Sequence, residues 1–167
     1  MGKILEYKYT TTMDTGFEDF FKKVGISKAD LSGADLQGRE AAGKYLLDSV
    51  VGGSANNPLK PPMDTGALRA SGSAHIANNS AFYTTDNLPV SAPGQATPNK
   101  RNARGTRDTI TVGINTPYAA RWHENQFQPG EISLANGPVG PFYLSSHLQS
   151  DSKEMLRIYA MFLSRVS

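Results

Sequence analysis

The sequence predicts an α+β fold: a small, mostly antiparallel sheet of about four strands, a central helix and a C-terminal helix packed on it, a long loop and an N-terminal arm. Three observations carry this expectation. Ile110, Val112 and Ile114 alternate strictly with Thr109, Thr111 and Gly113, the period of a strand. Ala42, Tyr45, Leu46, Ser49 and Val50 recur at the spacing of one helix face, and Met155, Leu156, Tyr159, Phe162, Leu163 and Val166 do so near the C-terminus. The signals run β, α, α, then mostly β, then α, an order that sets helices against one face of a small sheet.

The elements follow in chain order. Leu5, Tyr7 and Tyr9 alternate with Glu6, Lys8 and Thr10, so residues 1–12 predict a strand or extended arm. Thr15-Gly-Phe-Glu18 fits a capping box, Phe17, Phe20, Phe21 and Val24 fall at helical spacing, and Gly25 supplies a stop: a short amphipathic helix. Ala29-Asp-Leu-Ser-Gly33 and Ala34-Asp-Leu-Gln-Gly38 repeat the five-residue phrase of pentapeptide coils. Two copies cannot bury their faces against further coils, so the phrase reads as a helix start. A helix over about 35–51 follows, ended by Gly52-Gly53. Residues 59–62 form a proline-rich loop, and Asp64 can cap a short helical turn over 64–69. Strand material runs from Ser73 to Asn79 and reaches toward Thr84. Residues 85–107 are polar, carry Pro89, Pro93, Gly94, Pro98 and Gly105, and show neither hydrophobic period, which predicts a long functional or disordered loop. Residues 117–123 predict a short helix, and residues 131–135 a weaker strand before the last helix.

Composition bounds the function. The 167 residues, 38% apolar and 19% charged, make one domain, 1–167, able to bury a core unaided. There is no cysteine, which removes disulfides, thiolate metal sites and thiol nucleophiles. No apolar run approaches the roughly 18 residues that span a bilayer, so no membrane partner is expected, and the cytoplasm is the default compartment. Gly and Pro, 16 and 10 residues, exceed ordinary usage without reaching low complexity. The net charge of +2 is too small to argue for nucleic acid, but its distribution is uneven: residues 51–107 hold six basic and two acidic side chains.

No catalytic residue, cofactor or metal is assigned. Gly38-Arg-Glu-Ala-Ala-Gly43-Lys44-Tyr45 has P-loop spacing, but Tyr45 stands where Ser or Thr should meet magnesium, and the phrase lies in a helical pattern with no strand before it. His75, His123 and His147 are far apart. Only His123-Glu124 has an adjacent carboxylate, and Phe127 replaces the second histidine of an H-E-x-x-H. A metal site built from His75, His123 and a carboxylate is one alternative, although isolated histidines are more often structural. No G-x-S-x-G is present. Lys100, Arg101, Arg104 and Arg107 place four cations within eight residues. They read equally as a solvated loop or as a basic finger that meets DNA backbone or an acidic protein surface. No aromatic residue is interleaved among them, which argues against base stacking.

Pro62-Met-Asp-Thr-Gly-Ala-Leu-Arg-Ala-Ser71 resembles the P-x-D-T-G-x-L-R-x-S signature of the neck, or tail-completion, family of long-tailed bacteriophages, also labelled minor capsid or head-tail connector proteins. Pro117-Tyr-Ala-Ala-Arg-Trp-His-Glu124 is similar to that family's P-Y-A-x-x-x-H-E segment, and Pro141-Phe-Tyr-Leu144 to its P-F-L segment. The resemblance covers roughly residues 35–166, the expected core. The family usually has Gly after the glutamate, whereas Asn125 and Gln126 stand here.

The resemblance implies a structural virion protein that assembles in the host cytoplasm into a ring, hexameric or dodecameric, in the neck at the head-tail junction. Its implied partners are itself, a head-side connector or portal ring, a tail terminator or tail tube protein, and packaged DNA by non-specific contact. The motif residues are Asp64, Thr65, Gly66, Leu68, Arg69, Ser71, Tyr118, His123, Glu124 and Phe142, with roles that are structural. Asp64 and Thr65 can cap the short helix, Gly66 permits close backbone approach, Leu68 can bury itself, and Arg69 reaches outward, where it can pair with a carboxylate such as Glu124 within the subunit or across an interface. Lys100, Arg101, Arg104 and Arg107 are candidate DNA or partner contacts. The alternatives are an adjacent-tier tail terminator or head-closure protein, a small metal-dependent hydrolase using His123 and Glu124, and a non-specific nucleic-acid-binding module.

Overall fold

A computed structural model describes residues 5–10, 28–76, 81–91, 109–116 and 118–166. The fold is α+β. Four strands form one sheet, β1 (Leu5–Thr10), β2 (Gly72–Ile76), β3 (Ala81–Thr84) and β4 (Thr109–Ile114), in the order β1-β4-β2-β3 with every neighbouring pair antiparallel. Leu5 lies opposite Ile114 and Thr10 opposite Thr109, while Gly72 lies opposite the same Ile114 on the other side. The alternation at Ile110, Val112 and Ile114 thus belongs to a central strand. Every residue of β2 and β4 is buried, including Ser73, His75, Thr109 and Thr111 on the polar side of the pleat.

The region expected as one strand from Ser73 toward Thr84 is two strands. β2 and β3 pair with Ser73 opposite Thr84, and the register shifts between Ala74 and His75.

Helix α1 (Lys28–Gly52) starts earlier than the apolar stripe predicts and contains both pentapeptide-like phrases. Its buried residues, among them Ala42, Leu46, Leu47 and Val50, meet Ala74, Ile76, Ile110, Val112 and Ile114 of the sheet in one core. The P-loop-like phrase lies wholly within α1, where the backbone amides belong to the helix ladder. Gly38 marks where α1 crosses the C-terminal helix α5 (Ser152–Leu163): a Cβ there would stand 2.8 Å from Tyr159 Cδ2 and 3.1 Å from its carbonyl oxygen. The crossing is pinned by Asp35, which pairs with Arg39 at 2.7 Å and accepts a hydrogen bond from the Tyr159 hydroxyl at 2.5 Å.

Among the described residues three further short helices follow: α2 (Ala119–Glu124), α3 (Glu131–Ala135) and α4 (Tyr143–Ser150). α2 matches the expectation for residues 117–123. α3 corrects the expected strand at 131–135. Its apolar alternation does not mark a buried face, because Ile132 and Leu134 are exposed and Ser133 is the buried residue. α4 is a separate helix before α5, where the sequence suggested one C-terminal helix. The break falls at Asp151, a fully buried carboxylate that accepts hydrogen bonds from Ser54 Oγ and Asn56 Nδ2, side chains beyond the end of α1.

The turn expected to open at Asp64 is also corrected. Residues 64–66 form a bend, the 3-10 turn follows at Arg69–Ser71, and no side chain caps it. The amphipathic helix expected near Phe17 and the basic residues Lys100, Arg101, Arg104 and Arg107 lie outside the described residues. No described helix is long and apolar enough to cross a membrane.

Candidate functional site

The segment 57–71 crosses the molecule as irregular backbone, and each of its turns is held by a neighbour. Lys60 N–H donates to Pro138 O at 3.0 Å. Ser133 Oγ donates to Met63 O at 2.6 Å and accepts from Met63 N–H at 2.8 Å, so one hydroxyl satisfies both main-chain groups of that residue. Ser91 N–H donates to Thr65 O at 2.8 Å. Gly66 adopts φ of 85°, and a Cβ there would sit 2.3 Å from Pro89 O. Both conditions restrict the position to glycine, as the motif's spacing implies. Leu68 is buried in the core, as expected.

Arg69 departs from the expectation. Its side chain is buried rather than directed outward, and Nε donates to Pro61 O at 3.0 Å. Nη2 is buried without a hydrogen-bond partner, and burial pushes the guanidinium pKa down. Glu124 is exposed, and no ion pair joins it to Arg69. Asp64 is exposed too, while Thr65 Oγ1 accepts only a long bond, 3.4 Å, from Ala67 N–H. Ser71 closes the motif: its hydroxyl donates to Leu68 O at 2.8 Å, and its carbonyl accepts from Asn115.

The second and third motif segments are joined through His123. The imidazole is 1% exposed, and burial pushes its pKa down to about 4, so it is neutral at physiological pH. Leu144 N–H points at Nδ1 from 3.5 Å, and Nε2 lies 3.4 Å from Ser145 Oγ. The ring stands edge-on to Tyr143 at 4.9 Å and to Phe142 at 5.8 Å between centroids. Phe142 N–H donates to His123 O at 2.7 Å, and Tyr143 Oη donates to Ala119 O at 3.0 Å. These bonds hold Phe142 at φ of 57°, a left-handed conformation unusual for an aromatic residue. Its ring remains exposed.

The first and second motifs face each other across an open groove of about 650 Å³. Residues 62–68 form one wall; Tyr118 and Trp122 of the α2 region and residues 127–133, leading into α3, form the other. Trp122 and Phe127 pack edge to face at 4.9 Å. Asp64 and Glu131 are the charged lining residues, both exposed. This set of aromatic, aliphatic and acidic side chains is suited to hold a ligand by stacking and ion pairing. His75 lies elsewhere, with Nε2 2.9 Å from Ser73 Oγ on buried β2. Among the described residues no group of three His, Asp or Glu side chains is placed to hold a metal ion.

Several residues central to this region were missed by the motifs: Ser133, Ser91, Phe127, and the buried pair His147–Asp151. Only the last left a trace, an i, i+4 spacing on a helix. In comparisons with known proteins, no family model, no characterised protein and no solved structure matches the chain.

Proposed function

We propose that this protein is a structural subunit of a long-tailed bacteriophage virion, forming a ring in the neck at the head-tail junction. The observation that supports the reading is the meeting of the three motif segments in one place. Residues 142–144 are bonded and stacked onto His123, and residues 62–68 face Tyr118 and Trp122 across the groove. A signature spread over about 80 residues therefore describes one local structure, in which the side chains of Arg69 and Ser71 bond backbone while Asp64, Tyr118, Glu124 and Phe142 stay exposed. Around it Ile132, Leu134 and Phe142 are exposed, as Leu36, Leu156 and Met161 are elsewhere on the surface. Apolar side chains of that kind are what a subunit covers with its neighbours.

In this reading the partners are other copies in a hexamer or dodecamer, a head-side connector or portal ring, and a tail terminator or tail tube protein, with DNA passing through the ring. The ring is closed by one heterologous contact repeated around the axis. Phage particles produced without the protein are expected to accumulate as DNA-filled heads and detached tails, and electron microscopy of wild-type particles should place it in the neck. Joined, infectious particles that lack the protein would refute the proposal.

A further inference from the structure

We propose that the groove between residues 62–68 and the α2–α3 region takes a basic segment of a protein partner, whose arginine or lysine side chains lie on the aromatic wall and pair with the acidic rim. The inference deepens the assembly reading, since it names the chemistry of one partner at that site.

The argument rests on what lines the groove. Tyr118, Trp122 and Phe127 supply aromatic surface, Ile132 an exposed aliphatic edge, and Asp64 and Glu131 two exposed carboxylates, one from each of the two chain segments that line the groove. Among the described lining residues there is no Lys, Arg or His. A guanidinium satisfies both features at once, because its flat face stacks on Trp or Tyr while its N–H groups pair with carboxylate. Among the lining residues phosphate would meet two carboxylates and no cation, and Arg121, whose guanidinium stands 6.0 Å from the Trp122 ring centroid, does not line the groove, so the groove does not suit nucleic acid. An uncharged apolar segment would cover the aromatic wall and leave both carboxylates unpaired.

The two acidic positions are also fixed relative to each other. Asp64 follows Met63, whose main chain is held on both sides by Ser133, two residues after Glu131. Thr65 is held in turn by Ser91. The backbone that carries the two carboxylates is therefore set before a partner arrives, which lowers the entropic cost of binding.

Trp122 is the only tryptophan, so its emission reports on the groove. The probe is a synthetic peptide with the sequence of residues 98–107 of this chain, which carries four cations and no acidic residue. A control peptide has all four cations replaced by Gln. Each is titrated into the full chain and into a full chain with Lys100, Arg101, Arg104 and Arg107→Ser. The basic peptide should produce a saturable change in Trp122 emission. Binding should weaken about tenfold or more for the Gln peptide, for a receptor with Asp64→Asn and Glu131→Gln, and on raising salt. Tighter binding by the four-serine receptor than by wild type would identify the natural segment as this chain's own, and equal binding would assign it to another protein. The proposal is overturned if the Gln peptide binds as well as the basic one, if the two carboxylate substitutions leave affinity unchanged, or if neither receptor responds up to about 1 mM peptide. The result is independent of the assembly reading. Neck rings without peptide binding would remove only this inference, and peptide binding by a protein absent from virions would remove only the other.

Discussion

His147 Nδ1 lies 2.7 Å from Asp151 Oδ2, with both side chains fully buried, while His147 Nε2 lies 2.7 Å from the carbonyl oxygen of Leu59. Both ring nitrogens thus face oxygen acceptors. Burial works against the Asp151 charge, but hydrogen bonds from His147, Ser54 and Asn56 outweigh it and hold its carboxyl below the usual range. The pair ties the α4–α5 junction to the loop that leads into the first motif. Asp151→Asn should cost about 3 kcal/mol, since it leaves a buried group without its counterpart. Chemical denaturation of the variant gives the value, and a loss below about 0.5 kcal/mol would show that the pair does not hold the junction.

His123 sets a pH dependence. Its folded pKa of about 4 lies below the unfolded 6.5, so between those values the unfolded chain binds the extra proton. Stability is complete above pH 6.5 and falls as pH drops toward 4, by up to about 3 kcal/mol. Asp151, lowered from 3.8, adds a loss only at still more acid pH. Thermal unfolding midpoints from pH 7 to 4 should show the slope, and His123→Gln should flatten it. An equal slope in the variant would assign the proton uptake to other groups.

The repeated phrase in α1 predicts opposite outcomes for its two glycines. A Cβ at Gly33 meets nothing within 4 Å, whereas one at Gly38 meets Tyr159 at 2.8 Å. Gly33→Ala should stabilise by about 1 kcal/mol through helix propensity. Gly38→Ala should destabilise by about 1–3 kcal/mol, because the overpacked α1–α5 crossing outweighs the same propensity gain. Paired denaturation curves decide the matter, and stabilisation by both substitutions would mean that the helices part without cost.

Arg69 tests whether a motif charge serves the fold. Its charge is disfavoured by burial and its Nη2 lacks a partner, so Arg69→Met should change stability by no more than about 1–2 kcal/mol, the hydrogen bond to Pro61 being the main loss. A larger loss on thermal denaturation would mean that the guanidinium has a role in the folded monomer beyond that single bond. A small loss combined with failure to assemble would place its role at an interface.

The sequence made the core legible and the surface segments less so. Ile110, Val112 and Ile114 announced a central strand because burial on a pleat leaves a strict period, and the Ala42–Val50 stripe announced the helix that covers it. The same reasoning failed at Ile132 and Leu134, whose alternation has no buried face behind it, and where the deciding contact is one serine hydroxyl on distant backbone. It failed at Arg69 because a cation in a loop reads as solvated, and nothing local reveals that Pro61 O awaits it. The motifs were readable as strings, but the groove between the first and second was not, since Phe127 and Glu131 belong to neither.

The bonds from Ser91 to Thr65 have a mechanical consequence. Both the amide and the hydroxyl of Ser91 donate to the one Thr65 carbonyl, at 2.8 and 3.2 Å, immediately before the chain runs on toward its basic stretch. A displacement of Ser91 is therefore shared with Thr65 and the tight turn at Gly66 as well as with the chain back to β3. Whatever draws on that stretch pulls on a wall of the groove.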